Sequence, residues 1–125
     1  MDTIAAISTP PGRSGLGIVR ISGDRARNIA ARILRFHPGH EWKPWGSALA
    51  DLVDDNSNAV DHVVVSFYAS PRSYTSEDLI EISCHGSPIV LRFCLDRACA
   101  AGALAASRFG AQTSLPTAEE VDALL

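Results

Sequence analysis

The chain has 125 residues, 46% of them hydrophobic, with a formal net charge of −3 at pH 7. That composition predicts one folded domain with a real core; it excludes a disordered chain and argues against free-standing nucleic-acid binding by a basic surface. Three cysteines without a CxxC pair, no charged-then-apolar leader and no apolar run of about 18 residues predict a reduced, soluble, cytoplasmic protein, with no disulfide framework, zinc site or membrane span.

Residues Thr3–Ser8 read as a strand, stopped by Pro10-Pro11-Gly12, where neither proline can donate to a ladder. Leu16–Ile21 reads as a second strand. Gly23-Asp24 opens a helix with Asp24 as N-cap, and Ala26, Ile29, Ala30, Ile33 and Leu34 form its apolar stripe. Phe36–Pro44 reads as a loop. Ser47–Val53 and Val60–Tyr68 bracket the turn composition Asp54–Asn58 and predict a hairpin. Another loop, Ala69–Ser76, leads to a short buried strand, Leu79–Ser83. Ser87-Pro88 caps a second helix running to about Ala101, with Ile89, Val90, Phe93, Cys94 and Ala98 inward and Gly102 as its C-terminal glycine. Ala103–Ala106 reads as a weak strand, and Thr117 with Glu120 as the capping box of a last helical turn. The fold class is α+β: a mixed, mainly antiparallel sheet packed against two helices.

The loop Gly12-Arg13-Ser14-Gly15-Leu16-Gly17 suggests phosphate binding, but it precedes a strand and contains neither GxxxxGK[ST] nor a helix-opening GxGxxG, so a rim loop is the better reading. Cys84-His85 cannot form a catalytic dyad easily, because neighbours on a strand point to opposite faces. His37-Pro38-Gly39-His40 has no helical spacing and no completing carboxylate or thiol, and reads as a loop. Arg20 and Glu81 differ from these. Each is an ionisable residue on a strand among aliphatic neighbours, where a charge without a partner costs several kcal/mol. Two readings stay open: the two pair with each other across the sheet, or they face a crevice and grip a polar, planar ligand. Arginine supplies a fork of donors, and a carboxylate can accept from an amino group and a ring N–H together.

The segments that carry these two residues, TIAAISTPPGRSGLGIVRISG and SYTSEDLIEISCHGSP, resemble the two hallmarks of the N-terminal domain of the MnmE (TrmE) family of tRNA-modification GTPases. The second hallmark is usually written S-[YF]-T-G-E-D-x-x-E-x-x-x-H-G-G-P. The resemblance runs from about Asp2 to Gly102. It implies a fold like half of the folate-binding aminomethyltransferase domain, assembled as a homodimer that binds a tetrahydrofolate derivative (5-formyl- or methylene-tetrahydrofolate). It also implies an intact protein with a helical domain carrying an inserted GTPase domain that uses GTP, Mg and K. With the FAD protein MnmG (GidA), that protein modifies the wobble uridine of tRNA, the folate supplying the one-carbon unit.

Carried over position by position, the folate contacts are Arg20 and Glu81, with Tyr74 and the loop before Glu77 bordering the site. The family's third contact, a lysine in a segment resembling R-A-F-L-N-G-K, has no counterpart here. If that lysine meets an anionic tail, its loss weakens binding about 10- to 150-fold. Ser76 and Ser87 stand where the family has glycines. Residues 1–106 are expected to form the domain and 107–125 an atypical segment, the start of the helical domain. The GTPase motifs and the terminal cysteine motif are absent, so this chain alone is expected not to hydrolyse GTP. It is either an excised domain or a shortened stand-alone relative. Two alternatives remain beside folate binding: an interaction domain that keeps only dimerisation, and a stand-alone aminomethyltransferase-like enzyme.

Overall fold

The computed structural model describes residues 3–10 and 12–107; the expected capping box at Thr117 lies outside them. Alternating apolar residues produce six strands: β1 (Ile4–Ile7), β2 (Leu16–Ser22), β3 (Leu34–Phe36), β4 (Gly46–Val53), β5 (Ala59–Tyr68) and β6 (Leu79–His85). Among the described residues they form one sheet in the order β1-β2-β6-β5-β4-β3, with every pairing antiparallel. Two helices, α1 (Ala26–Ile33) and α2 (Pro88–Ser107), complete the α+β fold.

The helices and one sheet face bury the core. Val19 and Ile21 of β2, Ile80, Ile82 and Cys84 of β6, and Val63, Val65 and Phe67 of β5 point inward. They meet Ala26, Ile29, Ala30 and Ile33 of α1, and Leu91, Cys94, Ala98 and Ala101 of α2. Period-2 strands and period-3.6 helices thus meet on a single apolar layer, and among the described residues no helix packs on the opposite, open sheet face. Cys84 is buried while His85 is exposed, as their places on one strand require. Burial and a hydrogen bond with Cys84 hold the Cys94 thiol well above its ordinary value, the hydrogen bond contributing most; both cysteines serve the core as small apolar groups.

Several expectations are corrected. Asp24 does not cap α1; its N-cap is Arg25, which has no side-chain cap bond, and the Thr3 hydroxyl accepts from the Arg25 N–H at 3.0 Å instead. Leu34 is buried in β3, not in the helical stripe, and Phe36 ends that strand rather than opening a loop. Ile89 is 79% exposed, and Leu91 takes the inward position, its side chain lying over Gly17. Helix α2 passes through Gly102 to Ser107, so Ala103–Ala106 is helical. Gly102 is a packing residue: a Cβ there would lie 3.4 Å from the Ile29 side chain, where the two helices meet. Ser87 does cap α2, its carbonyl accepting from Leu91 and its hydroxyl, at 3.5 Å, from Val90.

Ser76 is held at φ 65°, the left-handed region that costs an L-residue about 1–2 kcal/mol. None of the hydrogen bonds it makes uses its side chain: its N–H donates to Ser73 and its carbonyl accepts from Ser70. Replacing Ser76 with glycine relieves that strain and adds freedom to the unfolded chain, two effects of opposite sign. The strain is the larger, so S76G is expected to raise the melting temperature by about 2–5 °C, measured by scanning calorimetry.

Candidate functional site

The open sheet face carries one row of polar side chains in register across four strands. Arg20 on β2 lies opposite Glu81 on β6, Glu81 opposite Ser66 on β5, and Ser66 opposite Ser47 on β4. Side chains directly opposite in an antiparallel pair interact, so the register decides which groups meet. The Arg20 Nε donates to Glu81 Oε2 at 2.6 Å, and the Ser47 and Ser66 hydroxyls lie 2.9 Å apart. The pairing reading of Arg20 and Glu81 is therefore observed. The pair is not closed off: the Arg20 side chain is 35% exposed and that of Glu81 17%. The ion pair with Glu81 runs through Nε of Arg20, so its terminal amino groups keep donors for a further partner.

Two aromatic groups flank the pair. The loop between β5 and β6 folds over the top of the open face. There the Ser22 hydroxyl bonds Thr75 at 2.7 Å and donates to Glu77 Oε2 at 3.1 Å. That anchoring sets Tyr74, 86% exposed, over the Arg20 guanidinium at 5.1 Å from the ring centre. On the other side the Tyr68 hydroxyl donates to Glu81 Oε1 at 3.4 Å. The structure thus brings together Arg20, Glu81 and Tyr74, the three residues singled out from sequence. It adds Tyr68, Ser66, Ser47 and Trp45, which sequence reasoning missed. The alternation along β5 carries the signal for Ser66 and Tyr68, since they share a face two residues apart. Trp45 carried no signal, because its place depends on a turn outside the strand pattern.

Chemically, this row can receive a flat, polar ring. The carboxylate accepts paired N–H groups, the guanidinium fork donates to oxygen, and the aromatic edges cover apolar parts. Nothing here resembles a nucleophile activated by a base. The loop Gly12–Gly15 is an exposed rim, tied to β6 by Ser14 N–H to Gly86 carbonyl at 3.1 Å. His40 stacks on Phe36 with ring centres 4.0 Å apart, within a loop as expected.

A second polar group lies at the far end of the open face. Asp51 meets His62 at 2.5 Å and Arg35 at 3.1 Å, while Asp61, on the face of β5 that carries Val63, meets His85 at 2.6 Å. The hydrogen bond with His62, then that from Arg35, holds the Asp51 carboxyl below its ordinary value. A cleft of about 490 Å³ adjoins it, lined among others by Arg35, Phe36, His37, Leu49 and His62. Every charged group of the Asp51 cluster already has a partner, which makes it a surface brace rather than a ligand site. Among the described residues no group of three or more His, Cys, Asp or Glu is placed to hold a metal, and no helix is long and apolar enough to cross a membrane.

Residues 3–112 match the family model described as the N-terminus of the GTP-binding protein TrmE. Among curated proteins, the chain is similar to the tRNA modification GTPase MnmE of Roseiflexus sp. (strain RS-1), 50% identical over 107 residues, 85% of this chain and 23% of that protein. It is 48% identical over 103 residues to the MnmE of Koribacter versatilis, 81% of this chain and 23% of that protein. With the MnmE of Thermus thermophilus it shares 44% over 108 residues, 86% of this chain and 25% of that protein. The chain thus spans about a quarter of the length of these relatives.

Proposed function

Since the chain belongs to the family of TrmE N-terminal domains, we propose that it is a tetrahydrofolate-binding and dimerisation module of a tRNA-modification GTPase. In the intact cytoplasmic assembly it would act with MnmG on the wobble uridine of tRNA. The observation that carries the proposal is the half-exposed Arg20–Glu81 pair, held in register beneath Tyr74 on the sheet face opposite the helices. The donor and acceptor set fits a reduced pterin. Glu81 can accept from its amino group and ring N–H, and the terminal amino groups of Arg20 can donate to its oxygen or to an anionic tail. When bound, the folate supplies a one-carbon unit; the residues of this chain bind and orient it. Dimerisation has its own support in the aliphatic side chains that the open face leaves in water: Leu16 and Leu49 at 64% exposure and Ile4 at 63%.

A second reading is favoured by one observation. Arg20 and Glu81 already satisfy each other, so the pair is stable without a ligand and a dimerisation module needs no folate. Thermal unfolding separates the two. A ligand that binds only the native state stabilises it by about 2.7 kcal/mol at a hundred times its Kd. Saturating 5-formyltetrahydrofolate is therefore expected to raise the melting temperature by several degrees. An unchanged melting curve favours the interaction-only module.

A further inference from the structure

The polar row does not end at Glu81, and the way it continues suggests how a ligand lies. From Arg20 the row passes Glu81 and Ser66 to Ser47, four strands wide, which at ordinary strand spacing is roughly 14 Å. One residue-pair toward the aliphatic side, Ile18, Ser83, Val64 and Leu49 are in register, with Val64 and Leu49 at 40% and 64% exposure. On the other side stand Tyr74, Tyr68 and Trp45. The row is therefore a polar floor between an aliphatic border and an aromatic one.

Trp45 is the least expected member of that border. It is held at φ 62°, where a bulky side chain is strained, and its ring is 65% exposed. A tryptophan contributes to stability by being buried, so neither feature is selected by folding. The strain is fixed from both sides: the Trp45 N–H donates to the Phe67 carbonyl at 2.7 Å, and Gly46 N–H closes a turn on Lys43 at 2.9 Å. The Trp45 ring sits against Tyr68, centres 4.8 Å apart and planes at 78°. Tyr68 in turn reaches Glu81 through its hydroxyl. A chain of contacts thus links the carboxylate to an exposed, pre-set indole.

On the folate-binding reading, on which this rests, we infer that Trp45 is a ring contact of the site and Tyr68 a positioning residue. The ligand lies along the row, its hydrogen-bonding edge on Glu81 and its flat body running over Ser66 toward Trp45. Aromatic groups bind flat heterocycles of this kind through stacking and edge contacts, while the hydroxyl of Tyr68 fixes the carboxylate that reads the amino edge. The occupant is a 2-amino-4-oxo-pyrimidine type of ring with an attached apolar extension.

The test is fluorescence titration of the whole chain with 5-formyltetrahydrofolate, for the wild type and for W45A, W45F and Y68F, with the melting temperature of each recorded without ligand. Wild type is expected to bind with quenching of indole emission. W45A should bind about tenfold more weakly, with W45F recovering most of that loss. W45A should melt within about 2 °C of wild type, since its ring is mostly in water. Y68F should bind about threefold more weakly. Because W45A and W45F both remove this indole and keep only that of Trp42, the affinities of both are read by calorimetry. Wild type and W45A binding folate with equal affinity overturns the inference and leaves the folate reading standing. Folded wild type that binds no folate overturns the folate reading and the inference with it.

Discussion

Glu81→Gln is expected to weaken binding of 5-formyltetrahydrofolate by about 100-fold while the domain stays folded. The carboxylate is the acceptor for two N–H groups of a pterin edge, and hydrogen bonds to a charged partner contribute about 1.5–3 kcal/mol. Glutamine keeps the shape but turns one acceptor into a donor, which then opposes the ligand's own amino group. Stability is affected far less. The pair with Arg20 is partly exposed, at 35% and 17%, and such pairs contribute about 1 kcal/mol or less. Arg20→Ala is the companion change, expected to cost at least tenfold in affinity, also without unfolding. If either variant unfolds at 25 °C, the residue serves the fold and the ligand role loses its main support.

Gly86→Ala is expected to have the largest effect on stability. Gly86 is buried where β6 hands over to α2, and its backbone bonds Ser14 and Gly15 of the rim loop on both sides. A Cβ built at Gly86 would lie 2.0 Å from the Ser14 carbonyl oxygen. That neighbour is backbone, held by the hydrogen bond it sits beside, so it cannot swing away as a side-chain end could. Such crowding costs about 3 kcal/mol and lowers the melting temperature by roughly 10 °C. Gly15→Ala is the control, because a Cβ there meets nothing within 4 Å. Scanning calorimetry of the two variants checks the contrast, and an unaltered G86A curve would contradict the close approach.

The parts of the fold legible in the sequence are those with local signals. Asp54–Asn58 marked the hairpin because its turn chemistry is contained in five residues, with the Asp54 carboxylate accepting from the Asn56 and Asn58 N–H groups at 2.9 Å. Ser87-Pro88 marked the start of α2 for the same reason. What stayed hidden depended on distant partners. β3 follows α1 without a turn residue, and only pairing with β4 makes it a strand. The cap of α1 comes from Thr3, which no local rule could assign. Gly102 looked like a helix end because its packing partner, Ile29, is 73 positions away.

The site divides in the same way. Arg20 and Glu81 stood out as charges in apolar strands, but their registry is a property of the sheet. Tyr74 entered through the resemblance of its segment, whereas the Ser66–Ser47 pair needed the β4–β5 register to reach the row, and Trp45 needed the turn before β4 to reach its border.

The most direct test is a calorimetric titration of the purified chain with 5-formyltetrahydrofolate, read for stoichiometry as well as affinity. Micromolar binding at about one ligand per chain is the predicted result, and it would show that Arg20 and Glu81 form a working site without the family's lysine. A folded sample that gives no saturable heat would contradict the account and leave a dimerisation module as the better description.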